Sequence, residues 1–138
     1  MIGGNGRRRR RRSKTKLIID EVPLSKNKYL DFGYKNFRAI RRKKNEYKEL
    51  IYWLIYEKIH KLELLYYKKA NITFDIYFKA NRRRDKQNYL GGGLISWLDA
   101  MVDLKIIEDD NADCIGQPIV NFHVDKNNPR TEITIEGR

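Results

Sequence analysis

Residues 51–56 read "IYWLIY", six apolar side chains in a row with charged residues close by on both sides. A strand buried on both faces gives such a run, and so does the middle of a long helix. The flanks decide between them. From Phe37 to Lys69 the apolar positions Ile40, Tyr47, Leu50, Ile51, Leu54, Ile55, Ile59, Leu62 and Tyr66 recur mostly at three- and four-residue steps, which keeps them on one helix face. The run is therefore read as the centre of a long helix over 37–69. The first half of this helix is basic, with Arg38, Arg41, Arg42, Lys43, Lys44 and Lys48. Its middle is apolar on every side, so the face around Trp53 and Tyr56 calls for a second partner surface.

Upstream, "PLSKNKYLDFGYKN" (23–36) carries the Pro, Ser, Asn and Gly of a loop, and "LIIDEV" (17–22), closed by Pro23, reads as a short strand. Residues 1–16, "MIGGNGRRRRRRSKTK", hold eight basic residues and almost nothing apolar, so they are read as a disordered basic arm suited to phosphate contact. Downstream, "ITFDIYFK" (72–79) is a strand by its alternation and its β-branched and aromatic content, and it runs directly into three arginines. "LISWLDAMVDLKII" (94–107) returns to helical spacing through Leu94, Trp97, Leu98, Met101 and Leu104. "QPIVNFHVD" and "RTEITIEG", separated by the turn-forming "KNNP", suggest a closing hairpin. The expected order is strand, helix, strand, helix, strand, strand. It is an α+β domain over 17–138, with a mixed four-stranded sheet and two main helices packed on it.

The 138 residues fit one domain, and 30 Lys and Arg against 18 Asp and Glu leave a formal charge of +12. That balance favours nucleic acid or an anionic membrane surface as partner. Cys114 is the single cysteine, which excludes an intramolecular disulfide and fits a reducing compartment. No apolar run approaches the roughly 18–20 residues that span a bilayer. A cytoplasmic protein without a membrane partner is expected.

"RRRDKQN" (82–88) sets three arginines against one aspartate, and "EDDNAD" (108–113) follows the next helix. A site that hydrolyses a polyanion needs cations for the backbone and carboxylates for a hard metal side by side. A strand end and a helix end can lie close in space, so Asp85 and the Asp109–Asp110 pair can converge as oxygen ligands for magnesium beside a phosphate groove, although an aspartate pair after a helix is more often a solvated loop or cap. Glycines 91–93 either open the helix or let a phosphate approach its N-terminus. His60 and His123 have no second His or Cys at metal spacing and are read as structural.

The pattern resembles the RusA-type Holliday junction resolvases over roughly Leu17 to Glu136. The resemblance is carried by "PLSKNKYL", by "RRRDKQN" at the place of an Asp-x-Asp-Asn motif, by "GGGLISWLDAM" with its Leu-Asp-Ala, and by "IIEDD". It implies a RusA-like fold and a homodimer that binds four-way DNA junctions. Such an enzyme hydrolyses phosphodiesters with magnesium, for which manganese is a substitute. Position by position, Asp85 and Asp110 become the metal-binding and catalytic carboxylates, with Asp109 beside them. Arg82, Arg83, Arg84, Asn27, Lys28 and Asn88 become DNA contacts, and Asp99 a residue supporting the metal ligands. Two departures stand out. Gln87 replaces the second Asp of the motif, offering an oxygen but no charge to a metal. The family lysine after the glycines falls on Leu94 or Ile95, which leaves Lys86 as a stand-in catalytic ammonium, although along a strand it would project away from Asp85. The same fold retained as a junction-binding protein with impaired catalysis is the second reading, and a basic RNA-binding or assembly domain the third.

Overall fold

The computed structural model describes residues 14–30, 37–62 and 65–138. These form an α+β unit with a four-stranded mixed sheet. In chain order the elements are β1 (Lys14–Ile19), α1 (Lys26–Leu30), α2 (Phe37–Ile59), β2 (Ala70–Phe78), α3 (Gln87–Leu90), α4 (Leu94–Asp103), α5 (Ala112–Ile115), β3 (Ile119–Val124) and β4 (Arg130–Gly137). The strand order is β1-β4-β2-β3, with β4 antiparallel to both β1 and β2 and β3 parallel to β2.

β2 alternates strictly, as a strand with only one face in the core must. Ala70, Ile72, Phe74, Ile76 and Phe78 are buried, while Thr73, Asp75 and Tyr77 stand half-covered on the other face. The buried row meets Ile133 and Ile135 of β4, Leu17 and Ile19 of β1, and the helical layer of α2 and α4. "IYWLIY" is helical. It buries Ile51 and Ile55 completely and leaves Trp53 52% and Tyr56 40% exposed, so the surplus apolar face has no cover among the described residues. α4 contributes Trp97, fully buried and edge-on to Phe74 with ring centroids 6.4 Å apart. The Trp97 indole N–H donates to the Tyr47 hydroxyl at 2.8 Å, which fastens α4 to α2. No helix among the described residues is long and apolar enough to cross a membrane.

Three sequence expectations give way to tertiary pairing. α2 ends at Ile59, ten residues before the periodicity does, because Tyr67 is drawn into strand-like contact with the segment after α4. The Tyr67 amide donates to Ile106 and its carbonyl accepts from Glu108. Lys14, Thr15 and Lys16 are not the end of an arm but the first half of β1, paired with Glu136, Ile135 and Thr134; residues 1–13 of the expected arm lie outside the described residues. The closing hairpin does not form. β3 and β4 flank β2 on opposite sides, and residues 125–129 cross its end. The helical connection returns the chain to the start of β2, so β3 pairs parallel. The apolar row of β4 then fits between β1 and β2, where it is covered.

The sheet's other face is polar. Glu132, only 7% exposed, accepts from the Arg130 Nε at 2.9 Å and pairs with Lys16 at 2.9 Å. The Lys16 bond, more than the opposing effect of burial, holds the Glu132 carboxyl below the ordinary carboxylate range, and Arg130 adds to it. Arg130 lies over the Tyr77 ring at 3.8 Å, Tyr77 stacks on His123, and His123 contacts Asp75 at 2.8 Å. His123 is thus held on this face between Tyr77 and Asp75.

Candidate nucleic-acid and metal site

Beyond the end of β2 the chain leaves the sheet and turns into α3. Residues 79–86 are not strand, and Lys86 has helical backbone angles (φ −60°, ψ −32°). Strand alternation therefore does not separate Lys86 from Asp85. Both line one open groove together with Arg83, Arg84, Gln87 and Asn88. Asp85 is exposed, and its Oδ1 accepts from the Gln87 amide at 3.0 Å while its carbonyl accepts from the Asn88 amide, which starts the helical turn. One carboxylate oxygen is thus spent on the turn, in the manner of an Asx cap. Arg84 is fixed locally: its guanidinium lies 3.8 Å over the Phe78 ring, and its Nη1 donates to the Ala80 carbonyl at 3.0 Å and to the Arg82 carbonyl at 3.4 Å.

The triple glycine has a function visible in the packing. A Cβ on Gly92 would stand 2.6 Å from both the Asn88 carbonyl and the Lys26 amide, and one on Gly93 would stand 2.6 Å from the Leu24 amide. The Gly93 amide donates to the Leu24 carbonyl at 2.8 Å, and the Leu24 amide donates to the Tyr47 hydroxyl at 3.2 Å. The space that a phosphate would need beside Gly92 and Gly93 is filled by the chain's own residues 24–26. This close approach sets α1, with the exposed Lys26, Asn27 and Lys28, against α3, the helix that carries Asn88.

The late aspartates are elsewhere. Ile107 bridges Tyr67, which precedes β2, whereas Asp85 follows its other end. The nine residues of β2 lie between, about 27 Å at the usual rise. The expected convergence of Asp85 with Asp109 and Asp110 does not occur within one chain. The reason is topological: α4 runs back along β2 and carries "IIEDD" to the strand's start. Among the described residues no three His, Cys, Asp or Glu are grouped to hold a metal. Asp109 is also committed locally, accepting from the Asp110 amide at 2.7 Å and the Asn111 side chain at 3.2 Å, while Asn111 caps α5 through the Cys114 amide. The Asp110 carboxylate accepts none of these bonds and is exposed. Gln87 and Asp85, adjacent on one turn, supply one amide oxygen and one carboxylate, which suits magnesium only if waters, a substrate phosphate or a second chain completes the shell.

Leu94 and Ile95 also separate. Leu94 is completely buried and Ile95 is 41% exposed, so only Ile95 occupies a position from which a side chain could reach a ligand. The helical spacing through Leu94, Trp97 and Met101 had already put Leu94, and not Ile95, on the apolar face.

Two basic features were not legible as sites. Between α2 and α4 lies a groove of about 320 Å³ lined by Arg41, Lys44 and Lys48 on one side and Ser96 and Asp99 on the other. Burial pushes the Asp99 carboxyl above the ordinary range; Lys48 opposes the rise, while Asp110 and Asp103 add to it. Lys48 also pairs with Asp103 at 2.9 Å. Asp99 thus lines the groove between α2 and α4 and not the groove of Asp85. The second feature is a groove that joins Lys126 to the arginines, and its signal was hidden in the crossing of residues 125–129. No known family model matches the chain, and no curated protein matches it either, so the chemistry of these surfaces has to be read from their residues.

Proposed function

We propose that the chain is a RusA-like, structure-selective endonuclease that binds four-way DNA junctions as a homodimer and hydrolyses phosphodiesters with magnesium. The observation that carries this reading is the groove at the end of β2. There a single exposed carboxylate, Asp85, stands among Arg83, Arg84 and Lys86, with Lys26, Asn27 and Lys28 brought alongside by the glycine contact. Cations and a carboxylate in one concavity suit a polyanion that has to be held against a metal-dependent centre.

Arg82, Arg83, Arg84, Asn27, Lys28 and Asn88 hold phosphates, and Asp85 with Gln87 faces the scissile group. When bound there, magnesium supplies Lewis-acid activation of water and of the phosphoryl oxygen, with manganese as a substitute. Lys86, in the same groove as Asp85, is placed to offset charge on the phosphate. The remaining carboxylate comes from a second copy. In a two-fold dimer the start of one β2 can lie beside the end of the other, which pairs Asp85 with Asp110, and with Asp109 less directly. The exposed Trp53, Tyr56 and Leu50 of α2 offer the apolar surface such a dimer would cover.

A second reading is a junction-binding protein of the same fold with impaired cleavage. It is favoured by Gln87 at a carboxylate position and by the burial of Leu94 where the family has lysine. Nicking by the natural protein separates the two readings, and Asp85→Asn and Asp110→Asn then test the site. Each should abolish nicking while leaving junction affinity within about twofold, since the basic surface is untouched; normal cutting by both variants would refute the site.

A further inference from the structure

Next to the Asp85 groove lies a second concavity of about 500 Å³, within the range of roughly 300–1,000 Å³ typical of sites that enclose a small ligand. Its apolar part is Val22, Phe78 and Pro129; Phe78 is buried and the other two are half-buried. Lys79, Arg82, Arg84 and Lys126 surround them, and no carboxylate lines the groove. A surface that only grips the phosphates of an intact duplex needs no apolar recess. A ligand matching this one must present a planar or apolar body and negative charge together.

The walls are fixed before anything binds. Arg84 lies over Phe78 at 3.8 Å and is held by the Ala80 carbonyl. The segment bearing Lys126 and Pro129 is tied to the end of β2: the Asp125 amide donates to the Phe78 carbonyl at 2.8 Å, and the Asp125 carboxylate accepts from the amides of Asn127 and Asn128 and from Arg130 at 2.8 Å. The crossing of residues 125–129, where a tight hairpin had been expected, is what builds this wall. Groups held in place lose little freedom on binding. Guanidinium planes are surfaces on which unpaired bases stack, and with the Phe78 ring buried beneath Arg84 the guanidinium is the face that an occupant meets. Arg84 lines both grooves, so an occupant here is the immediate neighbour of whatever lies at Asp85.

We propose that the groove formed by Val22, Phe78, Pro129, Arg84 and Lys126 takes one unstacked nucleotide of a nucleic-acid strand, adjacent to the phosphate at Asp85. The proposal rests on the nucleic-acid reading above, but it needs no cleavage. Its test compares octathymidylate with an eight-unit abasic phosphodiester of equal charge, by fluorescence anisotropy with the full chain. Octathymidylate should bind at least tenfold tighter. Because the two ligands carry the same phosphates, both affinities should fall with salt at the same slope and the ratio should persist. Ala80→Leu narrows the groove from an exposed position without changing charge. It should reduce the ratio to below about threefold while leaving abasic binding within twofold. Equal affinities in the natural protein, a ratio that disappears with salt, or a ratio untouched by Ala80→Leu would overturn the proposal. A protein that cuts four-way junctions but ignores the base sinks the groove alone, and one that prefers the base but never cuts sinks the nuclease reading alone.

Discussion

Gly93→Ala is the substitution on which the link between fold and site can be tested most sharply. The added Cβ would stand 2.6 Å from the Leu24 amide nitrogen, 2.8 Å from its carbonyl oxygen and 3.1 Å from the Tyr47 hydroxyl. Ordinary contacts begin near 3.4 Å, so the chain at Leu24 must retreat by several tenths of an ångström. That movement strains or breaks the Gly93–Leu24 and Leu24–Tyr47 hydrogen bonds. Overpacking of this kind costs about 1–3 kcal/mol, and each weakened hydrogen bond about 0.5–1.5 kcal/mol. Gly93 is the N-cap residue of α4, where alanine gains none of the propensity it has in a helix interior. The net loss should be about 2–6 kcal/mol, read as a lower midpoint in urea with an unchanged slope. Gly91→Ala is the control, since its Cβ would stand 3.2 Å from the Gln87 carbonyl and 4.0 Å from the mobile end of Lys26. Junction affinity should fall for Gly93→Ala even at temperatures where it is folded, because α1 no longer sits against α3. A Gly93 variant as stable as the natural chain, or a Gly91 variant that loses more, would refute the argument.

Restoring the absent family groups should work at one position and fail at the other. Gln87→Asp with Ile95→Lys is expected to raise the cleavage rate at least tenfold at fixed magnesium, whereas Leu94→Lys places a charge at a fully buried site and should cost about 3 kcal/mol or more of stability. Acid should weaken the fold through Glu132. Its carboxyl lies below the ordinary range when folded, so its stabilising contribution is complete above the unfolded value and is lost as pH falls through the folded one. Glu132→Gln should lower the neutral-pH stability by about 1–2 kcal/mol and flatten the decline below about pH 4 that denaturation curves of the natural protein should show. Mixing the Asp85→Asn and Asp110→Asn proteins should recover nicking if the two carboxylates come from different copies, because each mixed dimer then keeps one intact pair. Continued inactivity of a verified mixed dimer would place the pair within one chain or dismiss it.

The periodicity around "IYWLIY" and the alternation in "ITFDIYFK" were legible because each reflects one face buried against one neighbour. What the sequence did not reveal was set by long-range pairing. The early end of α2 follows from Tyr67 meeting Ile106 and Glu108, and the missing hairpin from β4 fitting between β1 and β2. The same cause misled the site. Asp85 and Asp110 were expected to meet because each closes an element, yet the direction of α4 along β2 carries them apart. Arg83, Arg84 and Asp85 share one groove because they are contiguous. Lys79 and Lys126 were not grouped with them, since only the crossing of residues 125–129 brings Lys126 to the arginines.

The most direct test of the proposed activity incubates the natural protein with a mobile four-way junction and with a linear duplex of matched sequence, each with and without magnesium, and follows labelled strands on a denaturing gel. The account predicts nicks in opposed strands of the junction that require magnesium, with no comparable cutting of the duplex. Tight junction binding without any nick at any magnesium or manganese concentration would contradict the nuclease and leave the binding protein in its place.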